Sequence, residues 1–195
     1  GAVKLDLSSG PAAAADRILI YGTGGIGKST LAAFLPAPIF LDVEHGTRKL
    51  NVARDRADDW ATLRGKLAAI SIEPPQGARA IVIDSATVAE EMAKEYVIET
   101  RLTEKGKKVE SVEGFGWGKG WQFVYDEFNA LLADLDRIAD RGLNVCMIAH
   151  DVSSPVPNPA GEDFIRWEPH LYSGDKNGRG SIRSRGKEWS AHVLF

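Results

Sequence analysis

Short apolar runs alternate along the chain with stretches of helical periodicity. Four runs are apolar enough to predict buried strands, at residues 17–21, 39–42, 80–84 and 143–149. Between them, apolar residues three or four positions apart predict helices at residues 31–35, 60–70, 88–96 and 121–138. Strands that alternate with helices predict an α/β fold, with a mainly parallel sheet and helices on both of its faces.

Less regular patterns fill the rest of the chain. Residues 47–57 are charged and irregular, and residues 102–120 end with glycine at alternate positions, which favours mobility. Three prolines between residues 155 and 159 argue against regular structure there. A strand or hairpin is expected at residues 164–171, and a last strand at residues 189–195.

Composition indicates one globular domain. The 195 residues are 44% hydrophobic and 26% charged, which is enough to bury a core without disulfides. We expect a flexible arm over residues 1–16 and a single domain over residues 17–195, continuing in the natural chain beyond the apolar run that closes the sequence. The single cysteine, Cys146, lies in an apolar run and is expected to be reduced, as in the cytoplasm. No apolar stretch approaches a membrane span, so no membrane partner is expected.

The segment after the first strand carries a phosphate-binding motif. Gly22, Gly27, Lys28 and Ser29 fit the spacing G-x-x-x-x-G-K-[ST] of the P-loop, between a predicted strand and a predicted helix. Glycines allow backbone N–H groups to point at phosphate oxygens, Lys28 would reach the β- and γ-phosphates, and Ser29 would bind Mg²⁺. A glycine-rich turn without a ligand is the alternative. The residues expected to contact the nucleotide are Gly22, Thr23, Gly24, Gly25, Ile26, Gly27, Lys28, Ser29 and Thr30.

Polar residues close the other predicted strands. Glu44 follows the second strand, Asp84 ends the third and His150 follows the fourth. Because the carboxyl ends of parallel strands share one edge of a sheet, we expect these residues beside the P-loop. Asp84 is expected to hold Mg²⁺ directly or through water, with helix capping as the alternative. Glu44 is the candidate general base, or else a surface carboxylate, and His150 is either a γ-phosphate sensor or structural.

The order of these segments resembles that of RecA-like ATPases. Residues 39–45, 80–85 and 145–150 carry the resemblance, which spans about residues 17–195. The chain looks closest to phage-encoded RecA-like nucleotide-binding proteins, some of which are single-strand annealing recombinases. Shared features include Gly-Lys-Gly at 118–120 and a terminal segment like residues 187–195. Recombinases of this type carry glutamine where this chain has His150.

The resemblance implies a RecA-like core that binds ATP or ADP with Mg²⁺, with Glu44 catalytic, Asp84 at the metal and His150 as sensor. It also implies a homo-oligomer, ring or filament, in which a neighbouring subunit supplies a basic residue to the ATP site. The implied partners are single-stranded DNA and a single-strand-binding protein, in the bacterial host cytoplasm if the protein is phage-encoded. The candidate basic residues are Lys176, Arg179, Arg183, Arg185 and Lys187.

DNA contacts, if any, are expected on loops, because residues 105–119 combine lysines with two aromatic residues. Aromatic side chains there would stack on bases, or would instead pack against the protein body. The candidate contacts are Lys107, Lys108, Phe115, Trp117 and Lys119. The net charge of −3 does not by itself indicate nucleic-acid binding. A ring-forming DNA motor, such as a helicase or packaging ATPase, and a nucleotide-gated binding module with negligible hydrolysis remain alternative functions.

Overall fold

A computed structural model describes residues 15–159 and 161–195, so most of the predicted arm at residues 1–16 lies outside the described residues. Six parallel strands form one sheet in the order β3-β2-β4-β5-β1-β8. The strands of this sheet are β1 (Arg17–Tyr21), β2 (Pro38–Asp42), β3 (Ala53–Arg56), β4 (Ala80–Asp84), β5 (Asn144–Ala149) and β8 (His192–Leu194). The predicted α/β fold with a parallel sheet is confirmed.

Helices cover the sheet unequally. Side chains alternate along the four central strands, so one set faces a large cluster with four helices, while the other set faces a small cluster with α1. In β5, for example, Met147 faces the large cluster and Cys146 the small one. The helices are α1 (Lys28–Ala32), α2 (Trp60–Ile72), α3 (Ala86–Thr100), α4 (Lys119–Ala139) and α5 (Ile182–Trp189). None of the helices in the described ranges is long and apolar enough to cross a membrane.

Two segments predicted to be irregular contain strands. β3 lies within residues 47–57, where all four of its side chains are exposed and three are charged. It forms because its backbone pairs with β2 at the sheet edge, which requires no apolar side chains. β6 (Asp151–Val156) pairs with β7 (Phe164–Pro169) in an antiparallel hairpin and includes Pro155. A two-stranded hairpin leaves one edge of each strand unpaired, where proline is tolerated.

Three predicted elements have different bounds or surroundings. The first helix ends at Ala32 rather than at residue 35. On α3, Met92 is buried but Val88 and Tyr96 are only half-buried. The predicted last strand at residues 189–195 is shorter, because Trp189 still belongs to α5 and only residues 192–194 pair with β1. That strand is exposed rather than buried.

The glycine-rich segment before α4 contains a short 3₁₀ helix, Val112–Phe115, with both of its end residues buried. A Cβ on Gly120 would lie 2.0 Å from the carbonyl oxygen of Val112, so this glycine allows the first turn of α4 to pack against the 3₁₀ helix. At least one of the alternate glycines is therefore explained by close packing rather than by mobility.

Candidate nucleotide site

The P-loop joins β1 to α1 and lies largely exposed. Gly25 and Gly27 have φ values of 79° and 104°, which L-residues with side chains rarely adopt. The Lys28 ammonium group folds back over the loop, where it donates hydrogen bonds to the carbonyl oxygens of Gly22 at 2.7 Å and Thr23 at 3.0 Å. The loop thus has the backbone shape and the cation that a chain of phosphates requires.

Asp84 meets the P-loop serine at the end of β4. The Ser29 hydroxyl donates a hydrogen bond of 2.6 Å to Asp84 Oδ2. Burial raises the pKa of Asp84 despite this bond, and the nearby charges of Glu44 and Asp42 raise it further. A divalent cation would compensate for that buried negative charge, and hydroxyl and carboxylate oxygens are ligands that Mg²⁺ prefers.

The residues at this edge fit Mg²⁺ in the manner usual for nucleotide sites. No group of three or more His, Cys, Asp or Glu residues able to hold a metal occurs within residues 15–159 and 161–195. Mg²⁺ is commonly bound by one or two protein groups together with substrate phosphates and water. Ser29 and Asp84 are thus sufficient as the protein's share of such a site.

Glu44 lies beside these two residues and has two side-chain partners. Its Oε1 atom is 2.7 Å from His150 Nε2 and accepts a hydrogen bond from the Ser85 hydroxyl. The backbone N–H groups of Val43 and Glu44 both donate to the carbonyl oxygen of Asp84, which ties the end of β2 to the end of β4. The Glu44 carboxylate is consequently held at the same sheet edge as the P-loop.

Sequence reasoning missed the residues that support Glu44. The buried Asp42 accepts hydrogen bonds from the N–H groups of Gly46 and Thr47 and from the Thr47 hydroxyl, and so holds the turn that carries Glu44. Burial alone would raise the pKa of Asp42, but these bonds outweigh it and lower the pKa. An aspartate ending a strand four or five residues before Gly-Thr was the available signal for such a turn.

His150 and the residue after it are also anchored. The His150 backbone N–H donates to the Thr87 hydroxyl at 3.0 Å, and Asp151 accepts a hydrogen bond of 2.9 Å from the P-loop Thr23 hydroxyl. The structure therefore brings Lys28, Ser29, Asp84, Glu44 and His150 together, as the sheet topology predicted. Their catalytic and sensor roles stay predictions.

The five candidate basic residues divide into two groups. Arg183 donates to the carbonyl oxygen of Pro169, Arg185 to Asn129, and Lys187 forms an ion pair with Glu168 at 2.8 Å. These three side chains are engaged within their own chain. Lys176 and Arg179 are exposed, although Arg179 pairs with Asp175 at 3.0 Å.

The predicted DNA-contact residues include one that is buried and four that are exposed or line a cleft. Phe115 is buried, with its ring edge-on to Phe123 at 5.4 Å between centroids, so the expectation that it stacks on bases is corrected. Trp117 is fully exposed and lies between two clefts of about 400 and 380 Å³. Lys107 and Lys108 line the second of these clefts, and Lys119 lines both. Lys108 also donates to the carbonyl oxygen of Glu99 at 2.7 Å, and Lys119 pairs with Glu104.

Comparison with known proteins gives one family. A family model described as an AAA domain matches residues 14–178, which includes the P-loop and every strand-end residue described above. No curated protein matches the chain.

Proposed function

Because the chain belongs to this AAA domain family, and so to the nucleotide-binding P-loop ATPases, we propose that it is a Mg²⁺-dependent ATPase of the RecA type that acts on single-stranded DNA in recombination or annealing. In this proposal it is of the phage-encoded kind and works as a ring or filament of identical subunits. The observation that carries the ATPase part is the contact of Glu44 with both His150 and Ser85, next to the Ser29–Asp84 pair.

Each of these residues has a chemical task in hydrolysis. The loop N–H groups and Lys28 bind the phosphates of the substrate, ATP, and Ser29 and Asp84 hold Mg²⁺, whose charge offsets that of the phosphates. Glu44 accepts a proton from the attacking water as the water oxygen bonds to the γ-phosphorus, while the bond from this phosphorus to the β–γ bridging oxygen breaks and ADP leaves. Both partners of Glu44 bind Oε1, and in this proposal the other oxygen, Oε2, receives the proton.

Glu44→Gln tests the ATPase part. Glutamine keeps the shape and hydrogen bonding of the side chain but cannot act as a base, so we expect ATP binding to persist while kcat falls by about 10²–10⁴-fold. Binding is measured with a fluorescent ATP analogue and turnover by phosphate release. The matched control is Glu95→Gln on the exposed surface of α3, which should retain both. Unchanged turnover in Glu44→Gln would remove Glu44 from this role.

Trp117 supports the DNA part of the proposal. A fully exposed tryptophan among lysines is suited to stack on an unpaired base while the lysines contact phosphates. We expect Trp117→Ala to weaken binding to labelled single-stranded DNA by the equivalent of about 1–3 kcal/mol. Ile72→Ala removes an apolar side chain of 76% exposure on α2 and should leave DNA binding unchanged.

Salt and turnover measurements complete that test. Contacts to phosphate make nucleic-acid affinity fall steeply as salt rises. If the wild-type protein shows no salt-sensitive binding to single-stranded DNA, and if its ATP turnover is the same with and without DNA, the DNA part of the proposal is wrong and the ATPase part is unaffected.

A further inference from the structure

An apolar cleft opens directly beside the P-loop. Its volume is about 170 Å³, and β1, α1 and β8 contribute its walls. The side chains that matter here are those of Tyr21, Ile26, Lys28, Leu31, Leu194 and Phe195. Because Lys28 and Gly27 belong both to this cleft and to the phosphate loop, the cleft is continuous with the nucleotide site.

Large apolar side chains surround this cleft without being covered by the described part of the chain. Ile26 is 63% exposed, Leu31 50% and Phe195 65%. Phe195 lies against the loop itself, since a Cβ on Gly22 would be 3.8 Å from its Cε2 atom. The Phe195 ring also contacts Tyr21, with 5.0 Å between the centroids. Clustered apolar exposure of this kind at a ligand site indicates a surface that the ligand covers.

The two polar side chains in the cleft already have partners. The Tyr21 hydroxyl donates to the carbonyl oxygen of Trp167 at 3.4 Å, and Lys28 donates to two carbonyl oxygens of the P-loop. The other side chains of this cleft are apolar. Side chains of the described residues therefore offer apolar contact to a ligand here, and no hydrogen bonds that could identify the edge of a base.

We propose that this cleft holds the base of the bound nucleotide by apolar contact and stacking, so that the site accepts ATP and GTP with similar affinity. This specificity rests on the proposed function. The cleft is smaller than the about 300–1,000 Å³ of pockets for whole drug-sized ligands, which suits a single ring system. A site that hydrogen-bonds its ligand rejects analogues that lack the bonding group by about 10⁴–10⁵-fold. An apolar pocket discriminates between similar ligands by only about 10–200-fold.

The test is a competition assay in which unlabelled ATP, GTP and tripolyphosphate displace a fluorescent ATP analogue in the presence of Mg²⁺. For the wild-type protein we expect the Kd values for ATP and GTP to agree within about 10-fold, and tripolyphosphate to bind more weakly than either. A Kd for GTP that differs from that for ATP by more than about 200-fold in either direction exceeds what an apolar pocket discriminates, so it would show that the base is read by hydrogen bonds and would overturn the proposal.

Two variants of cleft residues test whether the base binds in this cleft. Phe195→Ala should raise the Kd for ATP and for GTP by the same factor, roughly 5- to 150-fold, and leave tripolyphosphate unchanged. Leu31→Gln, on the α1 wall, should act in the same direction. Because the Leu31 side chain is 50% exposed, a polar glutamine there should not prevent folding. The matched control is Phe34→Ala, because Phe34 is 83% exposed but lies outside the cleft.

The two proposals fail differently. If both cleft variants bind ATP as the wild type does, or if they lose tripolyphosphate equally, the base does not lie in this cleft, while hydrolysis through Glu44 stands. If the wild-type protein binds neither ATP nor tripolyphosphate, the proposed function fails and the base site with it.

Discussion

A buried carboxyl group ties α3 to the segment before α5. Glu90 is 6% exposed and accepts a hydrogen bond of 2.8 Å from the Tyr172 backbone N–H. Burial raises its pKa to about 7, and Glu91 adds to the rise, while the Tyr172 bond, Lys94 and Arg183 oppose it. The folded protein therefore binds this proton more tightly than the unfolded chain, in which the pKa is near 4.5.

Glu90 makes stability fall as pH rises. Between about pH 4.5 and pH 7 the folded state holds the proton and the unfolded state loses it, so each increase in pH lowers the free energy of unfolding. Above pH 7 both states have lost the proton, and this contribution no longer changes. Glu90→Gln does not titrate and still accepts the Tyr172 bond. We expect this variant to gain stability over wild type by up to about 3 kcal/mol from pH 5 to pH 8.

Urea unfolding at pH 5, 6, 7 and 8 measures this difference. The exposed neighbour on the same helix, Glu95, supplies the control, since Glu95→Gln should follow the wild-type pH profile. Parallel profiles for wild type and Glu90→Gln would show that Glu90 keeps an ordinary pKa.

Single residues could be predicted from sequence where a rule of topology fixes their position. Glu44, Asp84 and His150 follow separate strands, and a parallel sheet places all strand ends on one edge. No such rule separates Phe115 from Trp117, because both are flanked by glycines in the same loop. The two residues differ because Phe115 belongs to the 3₁₀ helix and packs against Phe123, whereas Trp117 lies beyond this helix and is exposed to solvent. That difference depends on tertiary packing, which a local pattern does not reveal.

At the scale of elements, the start of α4 depends on one glycine. Gly120 packs against the backbone of Val112, and an alanine Cβ would lie 2.0 Å from its carbonyl oxygen. We expect Gly120→Ala to lower the free energy of unfolding by about 1–3 kcal/mol or more, the usual cost of overpacking. Thermal or urea unfolding measures the change.

Gly65 provides the matched control on α2. It is an exposed glycine inside a helix, and a Cβ added there would have no neighbouring atom within 4 Å, so Gly65→Ala should raise stability by about 0.5–1 kcal/mol. If Gly120→Ala raises stability as Gly65→Ala does, the packing of α4 on the 3₁₀ helix does not require Gly120.

Elements that bury apolar side chains could be predicted, and those that form mainly by backbone pairing could not. The strands β1, β2, β4 and β5 are apolar runs at the centre of the sheet. β3 is charged and exposed, and it exists because β2 offers an unpaired edge. In α5 the basic residues obscure the pattern, although Ile182, Gly186 and Trp189 are buried at helical spacing.

At the scale of the whole molecule, the candidate basic residues differ in how far they are exposed on the surface of the chain. Of the five candidate basic residues, only Lys176 and Arg179 are exposed, and the other three are engaged within the chain. A cation supplied by a neighbouring subunit can raise the rate of phosphoryl transfer by about 10³–10⁵-fold. If hydrolysis uses one, the turnover rate per subunit must increase with protein concentration as subunits associate.

Mixing two inactive variants tests whether Arg179 acts across a subunit boundary. Arg179→Ala keeps its own Glu44, and Glu44→Gln keeps its own Arg179, so a mixed assembly contains some sites with both groups intact. We expect each variant alone to hydrolyse ATP slowly and the mixture to recover a fraction of the wild-type rate, measured by phosphate release across a concentration series. Arg141→Ala, which changes an exposed arginine just after α4, should behave as wild type. A rate per subunit that is constant with concentration, together with no recovery on mixing, would mean that each subunit carries a complete site, and Arg179 would then have no role in its neighbour's hydrolysis.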